Sequence, residues 1–256
     1  MKKEKIYMFV FLAVFLLLWE IIIRIFEISD YLFIGPVAIV KGAVENYQLL
    51  LKNAAVTVLE IILGLSLGVS SGIILSVMIS YFKFCKIVIY PLIVALQSVP
   101  KIVFVPVILV WLGFGLPSKI VIAAIFSLFP VLINLIKGME NLDRKLIDLL
   151  IAYRCSKREI FFKARLPNAL PDFFAGVKIA TPLSVIGAIV GEFMGTSEGL
   201  GYLISLGQSL LNLPLTFNVA IILGCVGIFL FKIVNFLERK TMPWNHLKES
   251  EIELMF

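Results

Sequence analysis

The sequence predicts an all-α membrane protein of six transmembrane helices, with a cytoplasmic helix-turn-helix loop between the fourth and fifth. Three observations lead there. Hydrophobic residues make up 61% of the chain and charged residues 16%, with a mean hydropathy of +1.04, far from the balance of a soluble domain. The apolar residues fall into runs of about twenty, the length that crosses a bilayer as a helix. The basic residues gather in short connections on one side of those runs, as bilayer topology requires. The net charge of +6 therefore reads as membrane orientation and not as a nucleic-acid surface.

The expected spans are approximately 6–27, 55–81, 87–112, 119–138, 171–195 and 215–237. The first follows Met-Lys-Lys-Glu-Lys and continues into Trp19-Glu20-Ile21 with no small-residue cleavage site, so a retained helix is expected and not a signal peptide. Residues 28–54 are less apolar and contain Gly35-Pro36, which suits a stretch lying along the outer surface. The third span contains Pro100 and Pro106, and two shorter pieces are the alternative reading. Lys2, Lys3, Lys5, Lys83, Lys86, the run from Lys137 to Arg165, Arg239, Lys240 and Lys248 all fall on one side. Arg24, Lys41, Lys52 and Lys119 fall on the other. That asymmetry puts both termini and the 139–170 loop in the cytoplasm. No half repeats the other, so residues 1–256 are expected to form a single transmembrane domain.

The loop is the one long cationic interruption. From Asn141 to Tyr153, Leu142, Leu146, Leu149 and Tyr153 share a face at helical spacing, and Ile147 and Ile151 fall opposite, beside Arg144 and Asp148. A helix lying on its own membrane domain needs one apolar face; two suggest a second covering surface. Ser156 with Glu159 forms the S-x-x-E capping box that starts a second helix. Leu166-Pro167 is expected to end it, because proline disfavours helix in the residue before it.

Within the spans, small residues recur every four positions. Glu60, Gly64, Gly68 and Gly72 share one face; Gly176, Ala180, Ser184 and Ala188 share another, with Gly187, Gly191 and Gly195 adjacent. Such faces let helix backbones approach in lipid, where no hydrophobic drive brings helices together. Ionisable groups there are expensive, about 2.5–3.5 kcal/mol each at the bilayer centre. Glu60 should point into protein, Lys101 follows the break at Pro100, Glu192 lies near the outer end of the fifth span, and Lys178 can snorkel to the cytoplasmic edge. Glu60, Gln97, Lys101, Ser184 and Glu192 are the candidates for pathway lining or helix interface.

Other chemistry is excluded by what is missing. There is no G-x-x-x-x-G-K-[ST] phosphate loop, no H-E-x-x-H and no G-x-S-x-G. Cys85, Cys155 and Cys225 are far apart, and the single histidine is His246, so neither a metal cluster nor a disulfide framework is indicated. Gly199-Leu200-Gly201-Tyr202 lacks the glycine spacing and preceding strand of a dinucleotide loop and is read as a bend beyond the fifth span. No catalytic residue, cofactor or metal is expected.

The 148–171 stretch, DLLIAYRCSKREIFFKARLPNALP, resembles the EAA loop of binding-protein-dependent ABC transporter permeases. Asp148 takes the Glu position, Leu149 and Leu150 the Ala positions, Arg154 the Gly position, and Leu166-Pro167 the closing L-P. LFIGPVAIV, QSVPKIVFVPVILVWLGFGLPSK and VGEFMGTSEGLGYLI resemble the sulfonate, taurine and nitrate branch, across roughly residues 32–240. The resemblance implies a non-enzymatic importer subunit of the cell membrane that forms the substrate pathway. It implies two separate ATP-binding subunits, an external solute-binding protein and a second permease subunit, either another copy of this chain (a homodimer) or a similar partner. The residues it assigns to ATPase coupling are Asp148, Leu149, Leu150, Ile151, Tyr153, Arg154, Ser156, Glu159, Leu166 and Pro167. The implied substrate is a small anion, with thiamine- or riboflavin-type precursors as the alternative; a secondary transporter or channel is a further one. If glycine serves the loop by adopting positive φ, Arg154 must be strained or the bend must move to Cys155-Ser156.

Overall fold

Lipid offers no partner to a backbone N–H or C=O, so an apolar run must satisfy these groups within itself, as a helix does. The computed structural model describes residues 2–26, 33–194 and 196–243, and among these every regular element is helical. Gly195, His246, Lys248, residues 28–32 and the side chains of Lys2, Lys3 and Lys5 lie outside the described residues.

The elements are α1 (Lys2–Ile25), α2 (Pro36–Glu45), α3 (Tyr47–Tyr81), α4 (Lys83–Gln97), α5 (Phe104–Leu112), α6 (Leu116–Glu140), α7 (Arg144–Ala152), α8 (Lys157–Ile160), α9 (Leu166–Asn168), α10 (Leu170–Phe193), α11 (Leu200–Ser209) and α12 (Leu213–Thr241). Among the described residues, α3, α6, α10 and α12 are each long and apolar enough to cross a membrane. A fifth span arises if α4 and Lys101–Leu112 are counted together, but they meet at 92°. The expected span 87–112 is thus two short pieces, the alternative reading that its prolines left open. The cause is Pro100, which is extended at ψ 120° and has no N–H to continue the ladder.

The chain divides into two compact units, Met1–Thr57 with Glu192–Cys225 and Val58–Gly191 with Val226–Phe256. In the first, Leu50 of α3 packs with Leu200 and Leu203 of α11 and with Leu215 and Val219 of α12. Asn218 donates to the Ile39 carbonyl at 3.0 Å, which ties α12 to α2.

In the second unit α6 is flanked by α3 and α10, and both contacts run through glycine. A Cβ on Gly68 would stand 2.7 Å from the Ala124 carbonyl oxygen, and one on Gly187 would stand 2.8 Å from Ala123 Cα. The four-residue stripes are thus close backbone contacts, the arrangement that small residues permit in lipid. Lys178 pairs with Glu238 of α12 at 2.5 Å, on a side chain 29% exposed.

Leu166-Pro167 does not end a helix either. Leu166 keeps helical dihedrals of −66° and −46°, and the chain continues through α9 into α10. A wider π turn over Phe161–Arg165 precedes the proline. That extra width accommodates a ring which cannot donate to the previous turn. Phe161, Leu166 and Ala169 also pack against Leu135 and Met139 of α6, and this burial outweighs the local preference.

Candidate functional site

The 141–168 segment starts with two well-made helix beginnings. Asp143 caps α7 by accepting the Lys145 N–H at 2.9 Å. At α8 both halves of the capping box are present: Glu159 N–H donates to Ser156 Oγ at 3.3 Å, and Ser156 N–H donates to Glu159 Oε2 at 3.0 Å. The Ser156 backbone bond, then its hydroxyl, then Lys163 at 3.2 Å hold the Glu159 carboxyl down to about 2.

Between the two helices Arg154 adopts φ +57°, the left-handed region. The Cys155 N–H bonds back to the Leu150 carbonyl at 3.0 Å and the Arg154 N–H to Ile151 at 2.8 Å, the paired bonds of a Schellman cap. The bend therefore sits at Arg154 itself and not at Cys155-Ser156. It is strained, by about 1–2 kcal/mol relative to glycine.

α7 leaves much of its apolar surface open. Leu146 is 40%, Leu149 51%, Ile151 57% and Tyr153 76% exposed, with Asp148 exposed beside them. Leu150 is half-buried, Leu166 half-buried and Pro167 exposed.

The ionisable residues inside the long helices behave differently from one another. Glu60 of α3 is wholly buried and accepts from Lys119 of α6 at 2.7 Å, Lys119 being only 5% exposed. Lys119 is thus half of a buried pair. Glu192 of α10 is 1% exposed and makes no ion pair among the described residues. Its Oε1 accepts the Thr57 hydroxyl at 2.6 Å, and its Oε2 accepts the Gly201 N–H at 2.6 Å. Thr57 Oγ in turn accepts the Leu200 N–H at 2.7 Å, and Asn53 Oδ1 accepts the Gly199 N–H at 2.7 Å. Three consecutive N–H groups at the start of α11, which no intrahelical carbonyl can satisfy, are closed by side chains. The carboxyl group also lies at the N-terminal end of α11, where the helix dipole is positive. Gly199 is needed here twice over, for its φ of +110° and because a Cβ would collide with the Glu192 carboxylate.

Of the remaining candidates, Ser184 is buried and donates to its own helix at Thr181 O, 2.7 Å. Lys101 does not use the carbonyls freed at the break; its ammonium lies 5.5 Å from the centre of the Phe129 ring. Gln97 is exposed at the end of α4.

Residues 60–243 match the family model described as binding-protein-dependent transport system inner membrane component. The chain belongs to this family. It is 32% identical to the formylaminopyrimidine transport permease protein ThiX of Halalkalibacterium halodurans, over 91% of this chain and 94% of the relative. It is 28% identical to SsuC of Bacillus subtilis, assigned to aliphatic sulfonates transport, over 93% of this chain and 87% of the relative. The riboflavin transport system permease protein RibX of Chloroflexus aurantiacus is 32% identical over 60% of this chain and 58% of its own length. A crystal structure of an amino acid ABC transporter with histidines shares the fold, with a TM-score of 0.62 at 17% identity, covering 77% of this chain and 96% of that one.

In this ABC permease the polar groups that sequence reasoning missed are the distant partners. Asn53 and Thr57 lie one turn apart on α3, a spacing that could have marked them as one polar patch. Lys119 carried no such signal, lying 59 residues from Glu60.

Proposed function

We propose that the chain is the six-span, membrane-embedded subunit of an ATP-driven importer, with both termini and residues 139–170 in the cytoplasm. Two copies form the substrate pathway as a single transmembrane domain each. Two separate ATPase subunits supply the hydrolysis, and an external solute-binding protein supplies the substrate. The observation that carries this reading is the open apolar ridge of α7: Leu146, Leu149 and Tyr153 stand exposed in a segment otherwise rich in charge. Apolar side chains in that position gain by burial against a partner, about 25 cal/mol per Å² removed from water.

Asp148, Leu149, Leu150, Ile151, Tyr153 and Arg154 form the proposed docking surface, held in shape by Ser156, Glu159, Leu166 and Pro167. Nucleotide-driven motion reaches the membrane helices only if this surface binds the two ATPase arrangements unequally. Glu60, Glu192 and Ser184 are helix-interface residues in this reading, since their polar atoms are engaged within the protein. Gln97 and Lys101, at the 92° break, are the pathway candidates.

The substrate is a small anion of the sulfonate, taurine or nitrate type, a reading supported by the likeness to SsuC. A second reading, a thiamine- or riboflavin-type precursor, is equally supported by ThiX and RibX. Binding of the cognate solute-binding protein to taurine, nitrate, formylaminopyrimidine and riboflavin separates the two. The coupling assignment is tested by Asp148→Lys with Leu149→Glu. Expected is a folded permease that no longer retains the ATPase subunits and has lost ATP-dependent uptake; normal uptake refutes the docking surface.

A further inference from the structure

The second unit holds a cleft behind the coupling segment, on the side of α7 away from Leu146 and Leu149. It has a volume of about 350 Å³ and is walled by Ser80 and Tyr81 at the end of α3, Ile147 and Ile151 of α7, Lys157 and Ile160 of α8, and Phe161 and Arg165 of the π turn. Ile147 and Ile151 are one turn apart, on the opposite side of α7 from Leu146 and Leu149. With Ile160 and Phe161 they make the inner wall apolar.

Three polar groups on that wall lack partners. Lys157 and Arg165 take part in no ion pair among the described residues, whereas neighbouring Lys163 and Lys86 are matched by Glu159 and Glu140. The Ser80 hydroxyl is buried and makes no hydrogen bond. Burying a hydroxyl without a partner is unfavourable, so its environment is incomplete. No carboxylate lines the cleft.

Its position narrows the occupant. The cleft begins where a membrane-length helix ends; Tyr81 on its wall stands 41% exposed, in ring contact with Phe82 and Phe162, 53% and 48% exposed. An exposed tyrosine at the end of a span marks the headgroup level of a bilayer. A ligand arriving at that level with a negative head and an apolar body matches two unpaired cations, a hydroxyl donor and an isoleucine wall. We propose that this cleft is a binding site for the headgroup of an acidic phospholipid. Its phosphate is held by Lys157 and Arg165 with the Ser80 hydroxyl, and its first chain carbons lie along Ile147, Ile151 and Ile160. Basic pockets at the ends of membrane helices hold anionic headgroups by this combination.

The site is independent of which substrate the permease carries, and it shares only Ile151 with the proposed docking surface. The test is native mass spectrometry of the purified full-length chain titrated with phosphatidylglycerol or phosphatidylcholine of matched chains. The wild type is expected to retain phosphatidylglycerol preferentially. Lys157→Gln with Arg165→Gln should weaken that retention roughly thirtyfold, about fivefold per basic residue near an anionic surface. Ser80→Ala should weaken it a few-fold, and Lys232→Gln, at an exposed position of α12 that does not line the cleft, should leave it unchanged. Circular dichroism verifies that helix content is retained. Equal retention of both lipids, or no change in the double variant, overturns the proposal. So does inorganic phosphate competing at the affinity of the lipid, which would make the site one for a free anion. Loss of ATPase co-purification with lipid retention intact would assign the cleft to protein contact and also overturn it.

Discussion

Glu60 and Glu192, the most deeply buried carboxylates among the described residues, lie in different units of this permease and are satisfied by opposite means. In one, Glu60 meets a cation, Lys119, across two helices that touch through glycine. In the other, Glu192 accepts from a hydroxyl and a backbone N–H and closes the start of a short helix. An ion pair in a low-dielectric interior must recover a large desolvation penalty, and it is strongly destabilised when one member is removed. A carboxylate among neutral donors carries less electrostatic risk but depends on the position of each donor. The comparison teaches that a buried acid in a membrane helix is not by itself a mark of a transport pathway.

The largest expected effect comes from breaking the pair. Lys119→Met should destabilise the permease by about 3–5 kcal/mol, read as a large fall in melting temperature in detergent. The double change Glu60→Met with Lys119→Met should recover most of that loss, because two apolar side chains replace both charges. If the double variant melts as low as the single one, the ion pair is not what Lys119 contributes.

Glu192→Gln is expected to be milder. One carboxylate oxygen becomes an NH₂ that cannot accept from Gly201 or Thr57, at a cost of about 1–3 kcal/mol. The loss should concentrate in hydrogen exchange at Gly199, Leu200 and Gly201, and uniform protection there would contradict the cap.

Among the described residues each unit also carries one non-glycine residue in the left-handed region, Arg154 at φ +57° and Leu211 at φ +52°. Leu211 sits in the same paired-bond cap as Arg154, with Asn212 N–H bonded to Gly207 O at 2.7 Å. Arg154→Gly and Leu211→Gly should each stabilise by up to about 1 kcal/mol, strain relief being partly offset by glycine's backbone entropy. Arg154→Gly should also leave ATPase docking intact; a lost complex on pull-down would show that the guanidinium makes a specific contact.

The smallest effect concerns Glu159, the exposed counterpart of Glu192. Its carboxyl is depressed from 4.5 to about 2 by the Ser156 bonds and Lys163. A depressed acid contributes stability that is present above its ordinary value and is lost as pH falls through the depressed one. The α8 cap should therefore hold at pH 4.5 and open as pH approaches 2, and a carboxyl titration by NMR with a midpoint near 4.5 would count against it.

The helical fold was legible because bilayer length and backbone self-satisfaction act locally, so each apolar run announced itself. The glycine stripes and the Ser156–Glu159 box were legible for the same reason: their partners sit three or four residues away. What escaped was long-range. Lys119 looked like an ordinary external cation because nothing near it points to Glu60. Glu192 looked ambiguous because its donors lie on α3 and α11. Pro167 misled because packing of Phe161 and Leu166 on α6 overrode a local preference, with the π turn absorbing the mismatch.

The double-sided glycine contact of α6 has a mechanical consequence. Surfaces that meet backbone to backbone have no side-chain cushion to deform, so sliding one past the other would require pulling them apart first. Within that unit α3, α6 and α10 form a stiff plank, and bending is left to the places where the hydrogen-bond ladder is already interrupted, at Pro100 and at the π turn beneath Leu166.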